Sequence, residues 1–134
     1  MNSASHDAQH MNAEDVLGCE AIIATSGDVA RMRTCIAERT IVVLPGFVMT
    51  GGQWLDALQS AGPFERSTIS NELVVELSRD SWAVVYRFTA SRNGVEYIAD
   101  VVSTWAMTDE GMRLITHQHT LMWDPDSQPD ISDS

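Results

Sequence analysis

Two histidines near the end of the sequence are the first residues whose type and spacing could do chemistry. His117 and His119 are two positions apart, so on a β-strand both side chains point the same way. Such a pair binds zinc when a carboxylate or a third histidine converges on it, and Asp100 is predicted on the same face. The alternative is hydrogen bonding across a dimer sheet, and because no thiol pair or H-x-x-x-H spacing accompanies the histidines, we predict no metal. If they instead enter an interior cavity, His117 becomes the best general base.

Aromatic and small polar side chains form a second group of candidates. The predicted ligand-contacting residues are Trp54, Tyr86, Phe88, Ser103, Trp105 and Gln118. The aromatic rings suit a flat, apolar ligand, and Ser103 and Gln118 could orient that ligand through hydrogen bonds. The same aromatic residues could instead only fill a core, so both interpretations stay open.

The elements that must position these residues are mostly β-strands. The pattern of β-branched and aromatic residues predicts four consecutive strands, at Ile69–Ser78, Trp82–Ser91, Tyr97–Thr108 and Met112–Trp123. Asn93-Gly94 is a strong hairpin signal because both residues tolerate a positive φ. A long antiparallel meander therefore makes up the second half of the chain.

Helical signals precede the meander. The predicted order is a helix from the Asn12 cap to Thr25, a helix from the Asp28 cap to about Glu38, a strand at Thr40–Leu44, and a helix from Thr50 to the Gly62-Pro63 stop. The predicted fold class is therefore α+β, with three N-terminal helices.

Composition limits the function classes. The 134 residues, 44% of them hydrophobic, suffice for one domain with a buried core. We predict a leader at residues 1–12, one domain at 13–123 and an acidic disordered tail at 124–134. A net charge of −11 and the lack of lysine argue against nucleic-acid partners and anionic membranes. With neither a signal peptide nor a spanning segment recognised, we expect a cytoplasmic protein. We expect Cys19 and Cys35 to be buried free thiols rather than a disulfide.

Four stretches of the sequence, taken in this order, resemble a known fold family. They are Ser26-Gly27-Asp28, Thr40–Gly46 followed by Thr50-Gly51-Gly52-Gln53-Trp54, Tyr86–Tyr97 leading into Ser103-Thr104-Trp105, and Met112–Thr120. The set resembles the nuclear-transport-factor-two-like cone fold, and within it the SnoaL-like and ketosteroid-isomerase-like group. The resemblance implies a strongly curved antiparallel sheet wrapped around three helices, an open conical pocket, and a homodimer formed through the other face of the sheet.

The resemblance also offers a test for catalysis. The steroid isomerases of this group use an aspartate base and an oxyanion hole made of a tyrosine and a protonated aspartate. Alignment places these three positions at about Leu44, Glu20 and Ser103. Leucine cannot take a proton and serine is a weaker donor, so the isomerase chemistry is not carried over. Glu20 remains as either a buried acid of raised pKa or a solvated helix carboxylate.

Strand alternation predicts which side chains line the cone and which face a partner subunit. The predicted cone face carries Tyr86, Phe88, Val101, Ser103, Trp105, Leu114, Thr116 and Gln118. The predicted outer face carries Val85, Arg87, Asp100, Val102, Thr104, Ile115, His117 and His119. On that outer face, Arg87 and Asp100 could form a cross-strand ion pair, or Arg87 could bind an anionic ligand.

Two functions of different classes follow from the sequence. The first is a small-molecule-binding domain with an apolar, aromatic-lined pocket, no clear catalytic set and no cofactor. The alternative is an isomerase, cyclase or dehydratase acting on a polyketide-like or steroid-like carbonyl compound, with Glu20 or His117 as proton carrier and Ser103 or Gln118 as polariser. A scaffold whose only role is dimerisation is a third option.

Overall fold

The computed structural model describes residues 12–122. Over that range it contains three helices and six strands, which we label α1 (Ala13–Thr25), α2 (Val29–Met32), β1 (Ile36–Leu44), β2 (Phe47–Thr50), α3 (Gly51–Ala61), β3 (Arg66–Ser78), β4 (Ser81–Arg92), β5 (Val95–Thr108) and β6 (Gly111–Leu121). The predicted leader before Asn12, the predicted tail and Trp123 lie outside the described residues.

Local sequence explains where the two long helices begin. Asn12 and Asp15 cap α1 reciprocally, each side chain accepting from the other residue's backbone N–H at 3.0 Å. Thr50 and Gln53 form the same capping box at the start of α3. Gly51 is required there for space, because a Cβ would collide with the carbonyl oxygen of Ala37. These contacts confirm the predicted starts of the first and third helices.

All six strands form one mixed sheet, in the order β2-β1-β6-β5-β4-β3. The meander from β3 to β6 is antiparallel throughout, as predicted, and β1 adds parallel to β6. At the Asn93-Gly94 turn, φ is 53° and 76° respectively, which matches the hairpin signal in the sequence. The α+β prediction is confirmed.

The region between α2 and α3 differs from the prediction. The second helix was expected to reach Glu38, but it ends at Met32, and β1 begins at Ile36. Pairing with β6 explains this, because Leu114 N–H donates to the carbonyl oxygen of Cys35 at 2.8 Å and Ile36 pairs with Leu114. The short strand β2, which the sequence pattern does not predict, pairs with β1 across the Pro45-Gly46 turn.

The core lies between the helices and one face of the sheet. Alternate residues of β4 are buried, namely Trp82, Val84, Tyr86, Phe88 and Ala90. Cys19 and Cys35 are free thiols, as expected, with Cys35 buried and Cys19 half-buried. None of the helices in residues 12–122 is long and apolar enough to cross a membrane.

Candidate functional site

A β-bulge in β6 decides which side chains reach the interior. Thr104 of β5 pairs with Thr116, but the next residue, Trp105, pairs with Leu114. Ile115 is therefore an extra residue without a partner on β5, and side chains change faces across it. Up to Leu114 the predicted alternation is confirmed, since Ser103, Trp105 and Leu114 are all fully buried on the core face.

Beyond the bulge the alternation prediction is wrong. His117 is buried and His119 half-buried on the interior side, whereas Gln118 is exposed. Thr116, also expected in the cone, pairs through its hydroxyl with Thr104 at 2.7 Å. The histidines thus take the interior placement under which His117 was named as a general base.

Asp100, the carboxylate named for a zinc site, does not converge on the histidines. Asp100 accepts from Arg87 Nε at 3.2 Å in a cross-strand ion pair whose side chains are both substantially exposed. That pair is one of the two alternatives predicted for these residues. Among residues 12–122, no cluster of three or more His, Cys, Asp or Glu side chains could hold a metal ion.

Glu20, on the inner face of α1, is fully buried and accepts three hydrogen bonds. Its Oε2 accepts from the Tyr86 hydroxyl at 2.5 Å and from Ser103 Oγ at 2.9 Å, and its Oε1 accepts from Trp105 Nε1 at 2.7 Å. Burial raises the pKa of Glu20, and these three donors counteract the rise only partly. Of the two interpretations of Glu20, the structure therefore supports the buried acid of raised pKa.

The hydrogen bonds continue from Glu20 through four more side chains. Ser103 Oγ lies 2.7 Å from His117 Nδ1, His117 Nε2 lies 3.0 Å from His119 Nε2, and His119 Nδ1 lies 2.9 Å from the Tyr97 hydroxyl. We call this series from Glu20 to Tyr97 the relay. Burial lowers the pKa of His117 well below its usual value and that of His119 to about 4. Both imidazoles are accordingly neutral near pH 7, when each ring has one donor and one acceptor nitrogen.

The outer end of the relay opens into a cavity of about 810 Å³ between the helices and the sheet. Its walls are mainly apolar and include Ile23, Val29, Met32, Leu44, Trp54, Leu58, Phe64, Tyr86 and Phe88, with Tyr97, His117 and His119 among the polar lining residues. The Trp54 indole stacks on the His117 ring, with centroids 4.7 Å apart. This volume lies in the range of known small-molecule sites.

The predicted ligand-contacting residues divide into three groups. Trp54, Tyr86 and Phe88 line the cavity, and their contact with a ligand stays a prediction. Ser103 and Trp105 lie behind the wall, where they hold Glu20. Gln118 faces outward, because the bulge reverses its side.

The lining residues that were not identified from the sequence include three polar ones. Tyr97 was predicted only as the first residue of a strand, and His119 was assigned to the outer face. The third is Arg92, whose Nη2 donates to the Gly62 carbonyl oxygen at 2.8 Å and whose guanidinium lies 4.4 Å from the Phe64 ring centroid. No ion pair found within residues 12–122 involves Arg92, so it brings to the cavity wall a cation that is not paired with a carboxylate in that part of the chain.

Comparisons with known proteins identify the fold. No protein-family model matches the sequence, and no curated protein matches it. Among solved structures, an NTF2-like protein from Rhodospirillum rubrum, of unknown function in nutrient uptake, has a TM-score of 0.73 at 17% identity, over 84% of this chain and 100% of its own. An NTF2-like protein from Cytophaga hutchinsonii has a TM-score of 0.69 at 18% identity, with the same coverage.

A third similar structure is a protein from Parabacteroides distasonis, provisionally named a ketosteroid isomerase. It has a TM-score of 0.69 at 10% identity, over 89% of this chain and 98% of its own. Identities this low show the fold and leave activity open. The nuclear-transport-factor-two-like cone fold expected from the sequence is thus confirmed.

Proposed function

We propose that this protein binds a small, mostly apolar molecule in the cavity between its helices and sheet. The observation that carries the proposal is an interior space of about 810 Å³ with aromatic and aliphatic walls. Cavities of this kind, with a few convergent polar groups, are typical of small-molecule sites. The polar groups here include Tyr97, His117, His119 and Arg92, which favour a flat molecule that carries a carbonyl or carboxylate oxygen.

Thermal melting with two related compounds tests this proposal. The flat ketone 2-acetonaphthone and the acid 2-naphthoate each present an aromatic body and an oxygen acceptor. A compound at a hundred times its Kd stabilises the folded state by about 2.7 kcal/mol, which corresponds to a rise in Tm of a few degrees for a domain of this size. If neither compound, nor any other flat apolar compound in a wider panel, raises the Tm near its solubility limit, the proposal is wrong.

A pair of matched variants locates the binding. Leu58 lines the cavity, so Leu58→Trp fills part of the space and should reduce the shift. Leu77 is exposed on β3, and the same replacement there should leave the shift unchanged. Equal shifts in both variants would place binding outside the cavity.

The second candidate function is proton transfer on a carbonyl compound, as in an isomerase, cyclase or dehydratase. The specific observation that favours it is that two neutral histidines line the cavity and are hydrogen-bonded, through Ser103, to the buried Glu20. Neutral imidazole is a competent base when the proton it receives can be stabilised. The bound carbonyl compound would lose a proton from the carbon next to the carbonyl group.

Deuterium exchange measures this proton transfer without knowledge of the natural substrate. The protein is incubated with 2-acetonaphthone in D₂O, and mass spectrometry follows exchange of the acetyl methyl hydrogens. We expect exchange faster than in buffer, lost in His119→Ala and retained in Thr120→Ala, an exposed position on the same strand. Wild-type exchange at the buffer rate would count against proton transfer and would leave the binding proposal standing if the melting shifts are observed.

We further propose that a second copy of the chain covers the outer face of the sheet. Leu73 and Val75 of β3, Val102 of β5 and Ile115 of β6 are exposed apolar residues, and several of them together form a surface that is unfavourable in water. Sedimentation equilibrium should give twice the chain mass of 14.8 kDa. Val102→Glu should give the monomer. Val95 is exposed beside the β4–β5 turn, and Val95→Glu should remain a dimer. A monomeric wild type would contradict the proposal.

A further inference from the structure

We propose that Glu20 is the proton acceptor of the cavity, reached from a bound molecule through Tyr97, His119, His117 and Ser103. The inference deepens the proton-transfer function and rests on it for the presence of a ligand. The relay itself exists without one. It comprises four hydrogen bonds in series, of 2.9, 3.0, 2.7 and 2.9 Å from Tyr97 to Glu20.

The direction of every hydrogen bond in the relay follows from the charge of Glu20. An ionised carboxylate only accepts, so Ser103 must donate its single hydroxyl proton to Glu20. The 2.7 Å contact between Ser103 and His117 then requires the proton on His117 Nδ1, which leaves His117 Nε2 as an acceptor. His119 must donate from Nε2, and its Nδ1 accepts from Tyr97.

Protonation of Glu20 reverses the whole series. The carboxyl group can then donate to Ser103, Ser103 donates to His117 Nδ1, His117 donates from Nε2, and His119 donates from Nδ1 to the Tyr97 oxygen. Each histidine is neutral in both arrangements and differs only in which nitrogen carries the proton. Tyr97 changes from a donor within the relay to an acceptor, and its own proton becomes available to the cavity.

The transfer step moves one proton and needs no other reactant. A C–H or O–H bond of the bound molecule breaks, and its proton goes to the Tyr97 oxygen while the Tyr97 proton goes to His119 Nδ1. The Nε2 proton of His119 passes to His117 Nε2, the Nδ1 proton of His117 passes to Ser103, and the Ser103 proton passes to Glu20. The bound molecule is left as an anion and Glu20 as a neutral acid, so total charge is conserved.

The surroundings of Glu20 suit a group that exchanges one proton. The titratable groups that face it are the Tyr86 phenol from β4, His117 from β6 and the Cys35 thiol before β1, and Cys19 precedes it on α1. Burial opposes a permanent charge on the carboxylate, and the donors from Tyr86, Ser103 and Trp105 stabilise that charge. Burial also disfavours imidazolium at His117 and His119, so a proton that enters the relay is stable at its Glu20 end.

Nuclear magnetic resonance of the ligand-free, full-length protein tests the relay. With ¹⁵N-labelled histidine, the ring nitrogens report which atom carries the proton, and ¹³C-labelled glutamate reports the ionisation of Glu20. As Glu20 becomes protonated, we expect the proton to move from Nδ1 to Nε2 on His117 and from Nε2 to Nδ1 on His119. Unchanged rings across the titration of Glu20, or an imidazolium formed before Glu20 is protonated, would overturn the proposal.

Two variants sharpen the test. In Glu20→Gln, the donor Trp105 fixes the amide oxygen at the Oε1 position, so the amide NH₂ faces Ser103 and should lock both histidines in the low-pH arrangement at every pH. Ser103→Ala should uncouple the rings from Glu20. Glu96→Gln, an exposed control on β5, should behave as the wild type. No ligand is present in this experiment, so its outcome is independent of the ligand-binding test. Either test can contradict its own proposal while the other supports its own.

Discussion

The buried carboxyl group of Glu20 should leave a clear signature in the pH dependence of stability. Its pKa in the folded protein is raised above the ordinary value of 4.5, chiefly by burial. Above pH 4.5 the unfolded chain releases this proton and the folded protein keeps it, so stability falls as pH rises until the folded-state pKa is reached. The slope for one proton is about 1.4 kcal/mol per pH unit.

Replacement of Glu20 by Gln removes that slope. The unfolding free energy of Glu20→Gln minus that of the wild type should rise by about 1.4 kcal/mol per pH unit above pH 4.5 and then become constant. The height of the plateau measures the raised pKa, because each unit contributes about 1.4 kcal/mol. A weaker hydrogen bond to Tyr86 adds an offset that does not depend on pH.

Urea denaturation at half-unit steps from pH 4 to pH 9 provides the measurement. The control is Glu96→Gln, since Glu96 is exposed on β5 and the substitution should change stability by less than about 0.5 kcal/mol at every pH. A difference between Glu20→Gln and the wild type that stays constant across this range would refute the assignment of Glu20 as a buried acid of raised pKa.

Substitutions at three further positions test the local structure at the start of α3, beside Glu20 and at the β4–β5 turn. Gly51→Ala should lower the unfolding free energy measured in urea by more than about 2 kcal/mol, because its Cβ has no space. Gly18→Ala, with open space on α1, should raise it by up to about 1 kcal/mol. Equal effects of the two substitutions would contradict the close approach at Gly51. Trp105→Phe removes a donor to the Glu20 carboxylate and should cost about 2–4 kcal/mol, with a larger loss at high pH than at low pH; a loss independent of pH would contradict that role. Asn93→Ala should reduce the unfolding free energy by about 1–2 kcal/mol, and so lower the melting temperature, because φ at Asn93 is 53°. Asn93→Gly should not lower the melting temperature. An unaffected Ala variant would contradict the turn geometry.

Much of the fold can be predicted from the sequence because its signals are local. Asn93-Gly94 fixes a hairpin, and the capping residues Asn12 and Thr50 fix two helix starts. Strand β1 shows the limit, because Ile36 lies at helical spacing from Val29 and Met32 but belongs to a strand through its pairing with β6. Such a partner is distant in sequence, and a local pattern carries no information about it.

The candidate site shows a sharper limit. Glu20 could be identified because the fold resemblance pointed to it, and its burial explains its raised pKa. The side of the sheet on which His117 and His119 lie depends on a single extra residue, Ile115, and alternation alone contains no signal for a bulge. Tyr97 could not be recognised as part of the relay until the histidines were placed inside.

Neutron diffraction is the most direct test of the central claim that Glu20 controls proton positions in the cavity. Crystals of the wild-type protein equilibrated above and below the pKa of Glu20 would reveal the protons themselves. We expect the His117 proton on Nδ1 in the high-pH crystal and on Nε2 in the low-pH crystal, with Glu20 protonated only in the second. A His117 proton on the same nitrogen in both crystals would contradict the account.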